Sequence, residues 1–211
     1  MDNDTIIIRD LGLQHWEKVS DLMQKFTAIR NIKTLDELWC VEHYPIFTLG
    51  PLGTKKDRLI SSKIPMVLTD RGGKITYHGP GQQIIYLLLD LKRRKLGIRN
   101  IITLIEKIVI STLNYFSIKS HIVREYPGIF VNNEKICSFG LRIKKSCSLH
   151  GFSLNVNMDM RPFSHIYPCG NNKIRMTQIY NLKKNINCKI IKLVLIKKTI
   201  DLLNVSSIIY K

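Results

Sequence analysis

The apolar residues of this chain are divided into short runs, and that division is the strongest constraint on its fold. The longest uninterrupted apolar run, Ile84–Leu89, has the length of a single β-strand. No run approaches the roughly 20 residues of a membrane-spanning helix. Hydrophobic residues make up 45% of the 211 residues, which is enough to build a full core. The sequence therefore predicts one globular domain over residues 1–211, built from many short elements.

Strand-like segments alternate with three helical segments along the chain. Short β-branched or alternating runs predict strands at Thr5–Arg9, Glu37–Val41, Ile46–Leu49, Met66–Thr69, Gln83–Leu91, His121–Arg124, Gly128–Val131, Lys135–Ile143 and Ser148–Val156. Apolar spacings of three and four predict helices over 13–30, 101–116 and 189–203, with Asn100 capping the second. Asn132-Asn133 predicts a hairpin turn. This order predicts an α/β (α+β) domain with mixed sheets.

The chain is strongly basic, with 33 Lys and Arg residues against 16 Asp and Glu residues and a net charge of +17. Such a charge favours polyanionic partners: nucleic acid, anionic lipid or an acidic protein. The basic residues are scattered, however, which is typical of a solvated surface rather than a nucleic-acid arm. A coding bias toward Lys, Ile and Asn is a competing explanation. We therefore expect neither a nucleic-acid partner nor a membrane partner.

The cysteines and the first residues of the sequence indicate a compartment. Five cysteines without a C-x-x-C pair argue against a disulfide framework and against a zinc site. Free thiols persist in a reducing environment. The opening residues, Met-Asp-Asn-Asp-Thr, lack the basic and apolar regions of a signal peptide. We expect a cytoplasmic protein with no metal.

Glycines and polar residues crowd the stretch Arg71–Tyr86, which runs into the most apolar strand. Gly72 and Gly73 permit positive φ and let a backbone approach a ligand closely. Arg71 and His78 bring hydrogen-bond donors to the same loop. A plain surface turn would explain the glycines alone, but the added polar residues favour a ligand-binding loop. The two common nucleotide-binding motifs, G-x-G-x-x-G and G-x-x-x-x-G-K-[ST], are absent.

One lysine lies in an apolar strand pattern. Strand side chains alternate between faces, so Lys135 is predicted to share a face with Cys137, Phe139, Leu141 and Ile143. A lysine at a strand end can extend its ammonium group to water. The alternative is a desolvated lysine whose neutral form is favoured, as a general base requires. Ser138 and Gly140 are predicted on the opposite face, where Gly140 leaves room for a ligand.

A single cysteine lies in a turn-prone segment, between Pro168 and Gly170. Cys40, Cys137 and Cys147 lie in or beside apolar strands, and Cys188 lies near the last helix. A thiol nucleophile must be accessible and must be ionised by a nearby base or cation, because a free thiol has a pKa near 8.5. The loop gives Cys169 access, but composition alone does not decide between a nucleophile and a structural residue. His150 shares strand parity with Phe152, which is typical of a hydrogen-bonded core residue.

Taken together, these segments resemble the lipoyl(octanoyl) transferase family. Arg71–Tyr86 fits the family signature R-G-G-x-x-T-[YFW]-H-x-x-[GH]-Q-x-x-x-Y at every fixed position. Further matches follow in the family order: Glu42–Gly50, Pro127–Val131, Lys135-Ile136, His150-Gly151, Asn155–Asp159, Pro162-Phe163 and Pro168–Gly170. Tyr167 stands where the family commonly has Asn, and Lys144-Lys145-Ser146 replaces a turn richer in Arg and Gly. The resemblance covers roughly residues 35–180 and is weak over the last thirty residues.

The resemblance implies the fold of the biotin and lipoate protein ligase catalytic domain, with a large and a small β-sheet flanked by helices. It implies that Cys169 carries the acyl thioester and that Lys135 pairs with it, lowers its pKa and moves protons. The implied acyl site comprises Arg71, Gly72, Gly73, Lys74, Ile75, Thr76, Tyr77, His78, Ser138, Phe139, Gly140, Gly151, Phe152 and Ser153. It also implies no metal and no cofactor. Gly140 and Gly151 are expected to leave a slot for the apolar chain.

The implied reaction moves an octanoyl group from octanoyl-acyl carrier protein to a lysine of a lipoyl domain, as found in 2-oxoacid dehydrogenase complexes and the glycine cleavage H protein. Thioester to amide is downhill, so no nucleotide is required. Oxyanion donors would be backbone N–H groups near Cys169 or in the Gly72-Gly73 loop. Three alternatives are weighed beside it: an ATP-dependent lipoate or biotin ligase, a non-enzymatic carrier- or nucleic-acid-binding module, and a cysteine hydrolase or amidase.

Overall fold

Two β-sheets form the framework of the protein. The computed structural model describes residues 5–171 and 173–211, apart from the side chains of Lys55 and Cys169. Within those residues, the strands are β1 (Thr5–Gln14), β2 (Asp36–His43), β3 (Ile46–Leu49), β4 (Met66–Leu68), β5 (Ile75–His78), β6 (Gln82–Leu88), β7 (His121–Val123), β8 (Tyr126–Val131), β9 (Glu134–Lys144), β10 (Cys147–Asn155), β11 (Arg175–Met176) and β12 (Ser207–Tyr210). The helices are α1 (Trp16–Ile29), α2 (Ile98–Tyr115), α3 (Ile179–Leu182) and α4 (Cys188–Leu202).

The large sheet is mixed and has the strand order β12-β1-β2-β6-β10-β9-β8-β7, with β11 pairing with β9. β1 runs parallel to both β12 and β2, whereas β2, β6, β10, β9, β8 and β7 pair antiparallel in turn. The small sheet has the order β4-β3-β5. Since β5 leads directly into β6 through a short turn, the two sheets meet where the Arg71–Tyr86 stretch crosses between them.

The alternation of β6 explains why this strand has the longest apolar run. Ile85 and Leu87 pack in one hydrophobic cluster with residues of α2 and α4. Ile84, Tyr86 and Leu88 pack in a second cluster with residues of α1. Helices therefore cover both faces of the large sheet, and a strand buried on both faces needs apolar residues at successive positions. Within the described residues, no helix is both long enough and apolar enough to cross a membrane.

The predicted fold class, a large mixed sheet and a smaller sheet flanked by helices, is confirmed, and so is the hairpin at Asn132-Asn133. The predicted N-cap of α2 is wrong. The helix begins at Ile98 with Gly97 as its cap, and Gly97 O accepts the first backbone bond from Ile101 N. The prediction also missed three strands, β5, β11 and β12. The strand β12 is exposed along its length and lies at the edge of the sheet.

Candidate active site

A cavity of about 850 Å³ opens between the two sheets. Its size lies within the range typical of sites for small ligands. The predicted site residues that line it are Arg71, Gly72, Gly73, Lys74, Ile75, Thr76, His78, Lys135, Ser138, Phe139, Gly140, Gly151, Phe152 and Ser153. Pro168, which precedes the candidate nucleophile, lines the same cavity. The structure thus brings together segments that lie up to about a hundred positions apart in the sequence.

Arg71 fixes the shape of the glycine loop. Its guanidinium group donates to the carbonyl of Thr48 at 2.7 Å, to the hydroxyl of Thr48 at 2.9 Å and to the carbonyl of Lys74 at 2.8 Å. Gly72 N donates to Leu141 O at 2.9 Å, which attaches the loop to the edge of β9. These contacts let Arg71 hold the loop in shape, and its predicted role in ligand binding stays a prediction.

Two glycines that were expected to open a slot are instead close to backbone. A Cβ added at Gly140 would lie 2.7 Å from Gly72 O. A Cβ added at Gly151 would lie 2.0 Å from Ile85 O on the neighbouring strand. The space beside each glycine is therefore already filled by the protein itself. The expectation that these two glycines leave a slot for an apolar chain is wrong, although both line the cavity.

His78 is buried beneath the glycine loop and holds β5 and β6 together. Its Nδ1 lies 2.7 Å from Gln82 Oε1, and its Nε2 lies 3.3 Å from Thr48 Oγ1. Burial, with a further contribution from nearby His43, lowers the pKa of His78 to about 3. The imidazole is therefore neutral at physiological pH. Because Thr48 also accepts from Arg71, His78 supports the loop from below.

Tyr77 is the one predicted acyl-site residue that does not line the cavity. Its ring packs against Phe47 and Phe163, with each pair of ring centroids 5.5 Å apart. Successive residues of a strand point to opposite faces, so Thr76 and His78 point to the cavity side while Tyr77 enters the core of the small sheet. Its place in the structure is that of a packing residue.

A bulge in β9 changes the predicted position of Lys135. Gly128 pairs with Ser138, Ile129 with Cys137 and Phe130 with Lys135, which leaves Ile136 as an extra residue. Lys135 therefore shares a face with Ser138. The prediction that it shares a face with Cys137 is wrong, because simple alternation does not include a bulge.

The Lys135 side chain is completely buried. Its Nζ donates to Pro127 O at 2.6 Å and lies 5.8 Å from the centroid of the Phe130 ring. Gly128 makes room for it, since a Cβ there would lie 2.2 Å from Lys135 Cε. A lysine that extends its ammonium group from a strand end to water would be exposed, so the burial of Lys135 excludes that alternative. The amino group is instead oriented by a backbone carbonyl at the wall of the cavity.

The turn that contains the candidate nucleophile packs against β5 of the small sheet. Pro168–Gly170 forms one turn of 3₁₀ helix. Gly170 has φ +70, and a Cβ there would lie 2.4 Å from Lys74 Nζ, so the lysine covers this turn. Tyr167 N donates to Asp57 O at 2.8 Å. The side chain of Cys169, and with it the predicted approach to Lys135, lies outside the described part of the structure.

Sequence reasoning missed a pair at the cavity wall, formed by buried His150 and partly exposed Asp70. His150 adopts φ +61, which turns its ring toward Tyr86 and away from the face predicted by strand parity. Its Nε2 lies 2.8 Å from Asp70 Oδ1. Hydrogen bonding to His150 lowers the pKa of Asp70 to about 2. The sequence signal was available, because Asp70 directly precedes the glycine loop.

No group of three His, Cys, Asp or Glu residues within 5–171 and 173–211 is arranged to hold a metal ion.

Solved structures share this fold at low sequence identity. A bipartite lipoate protein ligase from Thermoplasma acidophilum superposes with a TM-score of 0.76 at 13% identity, covering 97% of this chain and 84% of that chain. The biotin protein ligase of Aquifex aeolicus, in complex with biotin and ATP, gives a TM-score of 0.58 at 15% identity, covering 96% of this chain and 71% of that chain. The predicted likeness to the biotin and lipoate ligase catalytic domain is confirmed as a likeness of fold.

Sequence comparison gives the family. The family profile of the lipoyl protein ligase A/B catalytic domain matches residues 20–200. The octanoyltransferase of Buchnera aphidicola subsp. Schizaphis graminum is 53% identical over 212 residues, covering 99% of this chain and 97% of the relative. The octanoyltransferase of Klebsiella pneumoniae subsp. pneumoniae is 52% identical over 179 residues, covering 85% and 84%. With such identity over nearly its whole length, this chain belongs to the octanoyltransferase family.

Proposed function

We propose that this acyltransferase carries its octanoyl group as a thioester on Cys169 and that Lys135 moves the protons. The observation that carries the proposal is the environment of Lys135. Its amino group is fully buried, oriented by Pro127 O, and placed at the wall of a cavity that Pro168 also lines. A lysine amine that is fully buried at a cavity wall is costly to retain, which favours a chemical role.

The first half-reaction forms the thioester on the protein. Lys135 accepts the proton of the Cys169 thiol, and the sulfur attacks the thioester carbonyl of the donor to form a tetrahedral intermediate. When this intermediate collapses, the donor's thiolate leaves and takes a proton from the Lys135 ammonium group. One C–S bond forms, one breaks, and the lysine returns to its starting state.

The second half-reaction forms the amide. The amine of an acceptor lysine attacks the carbonyl of the acyl-enzyme, and the Cys169 thiolate leaves. Lys135 takes a proton from the attacking nitrogen and restores the thiol. Backbone N–H groups are the natural donors to the oxyanion of both intermediates, and the Gly72-Gly73 loop and the Pro168–Gly170 turn are the candidate segments.

The cavity wall offers apolar side chains for the acyl chain. Phe139, Leu141, Ile143 and Phe152 all line the cavity and also border the main hydrophobic core. Burial of each methylene of an octanoyl chain against such a surface contributes about 0.8 kcal/mol. We place the thioester end of the chain near Lys135 and its methyl end toward this apolar group.

The donor in this proposal is octanoyl-acyl carrier protein, and the acceptors are lipoyl domains of 2-oxoacid dehydrogenase complexes and the glycine cleavage H protein. The net charge of +17 gives a means of attracting an acidic carrier, so association should weaken as salt rises. The four cysteines whose side chains are described are free thiols, which fits an enzyme that acts in the reducing cytoplasm.

Mass spectrometry after incubation with octanoyl carrier protein tests the proposal. We expect one octanoyl group on Cys169 in the wild-type protein and in Cys188→Ala, a matched control because Cys188 is exposed. We expect none in Cys169→Ala. Lys135→Met, which preserves the length of the buried side chain, should form the adduct about 10²- to 10⁴-fold more slowly. An adduct that persists in Cys169→Ala would refute the assignment.

An ATP-dependent ligase is the second candidate, because solved proteins of this fold include ATP complexes. That chemistry would activate free octanoate and would not need a thioester on the protein. Transfer of free octanoate that requires ATP and survives in Cys169→Ser would favour it. Our proposal expects no such activity.

A further inference from the structure

We propose that Tyr126 and Asn171 form a positioning pair that holds the cysteine-bearing turn against the strand that orients Lys135. Asn171 Nδ2 donates to the phenol oxygen of Tyr126 at 2.5 Å. The two residues lie 45 positions apart, on β8 and directly after the Pro168–Gly170 turn. This inference rests on the proposed function, since it concerns how the two reacting groups are held.

The orientation of the Asn171 amide is fixed from both ends. Its Oδ1 accepts from Lys173 N at 2.8 Å, which leaves Nδ2 to face Tyr126. Asn171 N in turn donates to Pro168 O at 3.2 Å, closing the turn on itself. The hydrogen bond to Tyr126 therefore acts on a segment that is already locally ordered, and it determines where that segment lies relative to β8.

The same short stretch of β8 also orients the proposed base. Pro127, the residue after Tyr126, supplies the carbonyl that accepts from Lys135 Nζ at 2.6 Å. One end of β8 thus contacts both halves of the proposed dyad, the lysine through its backbone and the turn through the Tyr126 side chain. Tyr126, Pro127 and Lys135 also line the same cavity.

Lys74, the residue before β5, contacts the turn from the small sheet, where its side chain packs on Gly170. The turn is therefore held between the small sheet and the large sheet. Loss of the Tyr126 contact would remove the side-chain hydrogen bond that ties the turn to β8 of the large sheet, and the chain would next meet that sheet only at β11. Misplacement of a reacting group by about 1 Å can cost roughly 10²-fold in rate.

Two substitutions remove the contact from either side. Tyr126→Phe deletes the phenol oxygen alone, and Asn171→Ala deletes the amide. The matched control is Tyr115→Phe, because Tyr115 is exposed at the end of α2. Each variant is compared by its single-turnover rate of octanoyl transfer to Cys169, its KM for the carrier, its melting temperature and the pH midpoint for alkylation of Cys169 by iodoacetamide. Cys188 serves as an internal reference for alkylation.

We expect each single variant to acylate about 10-fold more slowly with little change in KM. The double variant should be no slower than either single variant, because both remove the same contact. The alkylation midpoint at Cys169 should rise in the single variants, while Cys188 and Tyr115→Phe stay at the wild-type values. Wild-type acylation rates, additive effects in the double variant or an unchanged midpoint would each overturn the proposal.

The alkylation measurement separates this proposal from the proposed function. If the wild-type protein forms no octanoyl adduct, the thioester mechanism fails, yet the alkylation midpoint still reports whether Tyr126 holds the turn near Lys135. A fall in melting temperature with no change in that midpoint would show a structural contact only and would overturn the positioning role.

Discussion

The close approach of the glycine loop to β9 predicts a specific effect of Gly140→Ala. The added methyl group would lie 2.7 Å from Gly72 O and 3.2 Å from Arg71 Cδ. Ordinary contact requires about 3.4 Å or more, so the loop must retreat by about 0.7 Å. Because Arg71 ties the loop to Thr48 by several hydrogen bonds, this movement cannot be confined to one flexible side chain.

The cost follows from the contacts that the retreat disturbs. Overpacking of this kind typically costs about 1–3 kcal/mol. The hydrogen bond from Gly72 N to Leu141 O, 2.9 Å in length, would be stretched or lost, at about 1 kcal/mol. We therefore expect Gly140→Ala to lower the free energy of unfolding by about 2–4 kcal/mol. We also expect acylation to slow by roughly 10-fold or more, because the loop forms a wall of the cavity.

Gly97→Ala provides the matched control. Its φ is −84, and its added Cβ would meet only Asn100 Oδ1 at 3.1 Å, the end of a flexible side chain. Because Gly97 is the N-cap of α2, Gly97→Ala should lower the free energy of unfolding by no more than about 1 kcal/mol and leave the acylation rate unchanged. Urea denaturation gives the stability, and single-turnover mass spectrometry gives the rate. Equal stability and equal rates in the two variants would refute the inference that the loop needs a glycine at position 140.

Three further predictions concern stability. Gly151→Ala should lower the free energy of unfolding by about 3 kcal/mol, because its Cβ would lie 2.0 Å from Ile85 O; an unchanged urea midpoint would contradict this. Asp36→Asn should cost about 3–5 kcal/mol, because three arginines share this buried carboxylate; a loss below 1 kcal/mol would argue against it. Burial lowers the pKa of His43 to about 4 and that of His78 to about 3. Above about pH 6.5, the pKa of histidine in the unfolded chain, both residues contribute their full stability, and that stability is lost as the pH falls. The part that depends on His43 should lower the free energy of unfolding by about 3 kcal/mol by pH 4. A urea midpoint that stays constant from pH 7 to pH 4 would exclude this.

Periodicity predicted most of the fold because burial and periodicity agree along most of the chain. β6 is the clearest case, since its continuous apolar run reflects burial on both faces. The edge strand β12 was missed because it is exposed and pairs on one side with β1, so burial imposes no pattern on it. The predicted start of α2 was three residues late because glycine is also a preferred N-cap residue, and Gly97 rather than Asn100 caps the helix.

The site was harder to predict, because its geometry depends on irregular backbone. The bulge at Ile136 moves Lys135 to the face of Ser138, and positive φ turns His150 toward Asp70. In both cases the side chain lies on the strand face opposite to the one that simple alternation predicts. The contact between Tyr126 and Asn171 joins positions 45 apart, and no local pattern marks either residue. Motif resemblance located the cavity residues; the loops and the bulge that arrange them required the structure.

Transfer from the isolated acyl-enzyme tests the central claim most directly. Octanoyl-enzyme, freed of carrier protein and prepared without ATP, is mixed with a lipoyl domain and followed by mass spectrometry. We predict that the octanoyl group leaves Cys169 and appears on the acceptor lysine at least as fast as the enzyme turns over. An adduct that stays on Cys169, or that leaves more slowly than turnover, would show that the thioester lies off the reaction path and would contradict the mechanism.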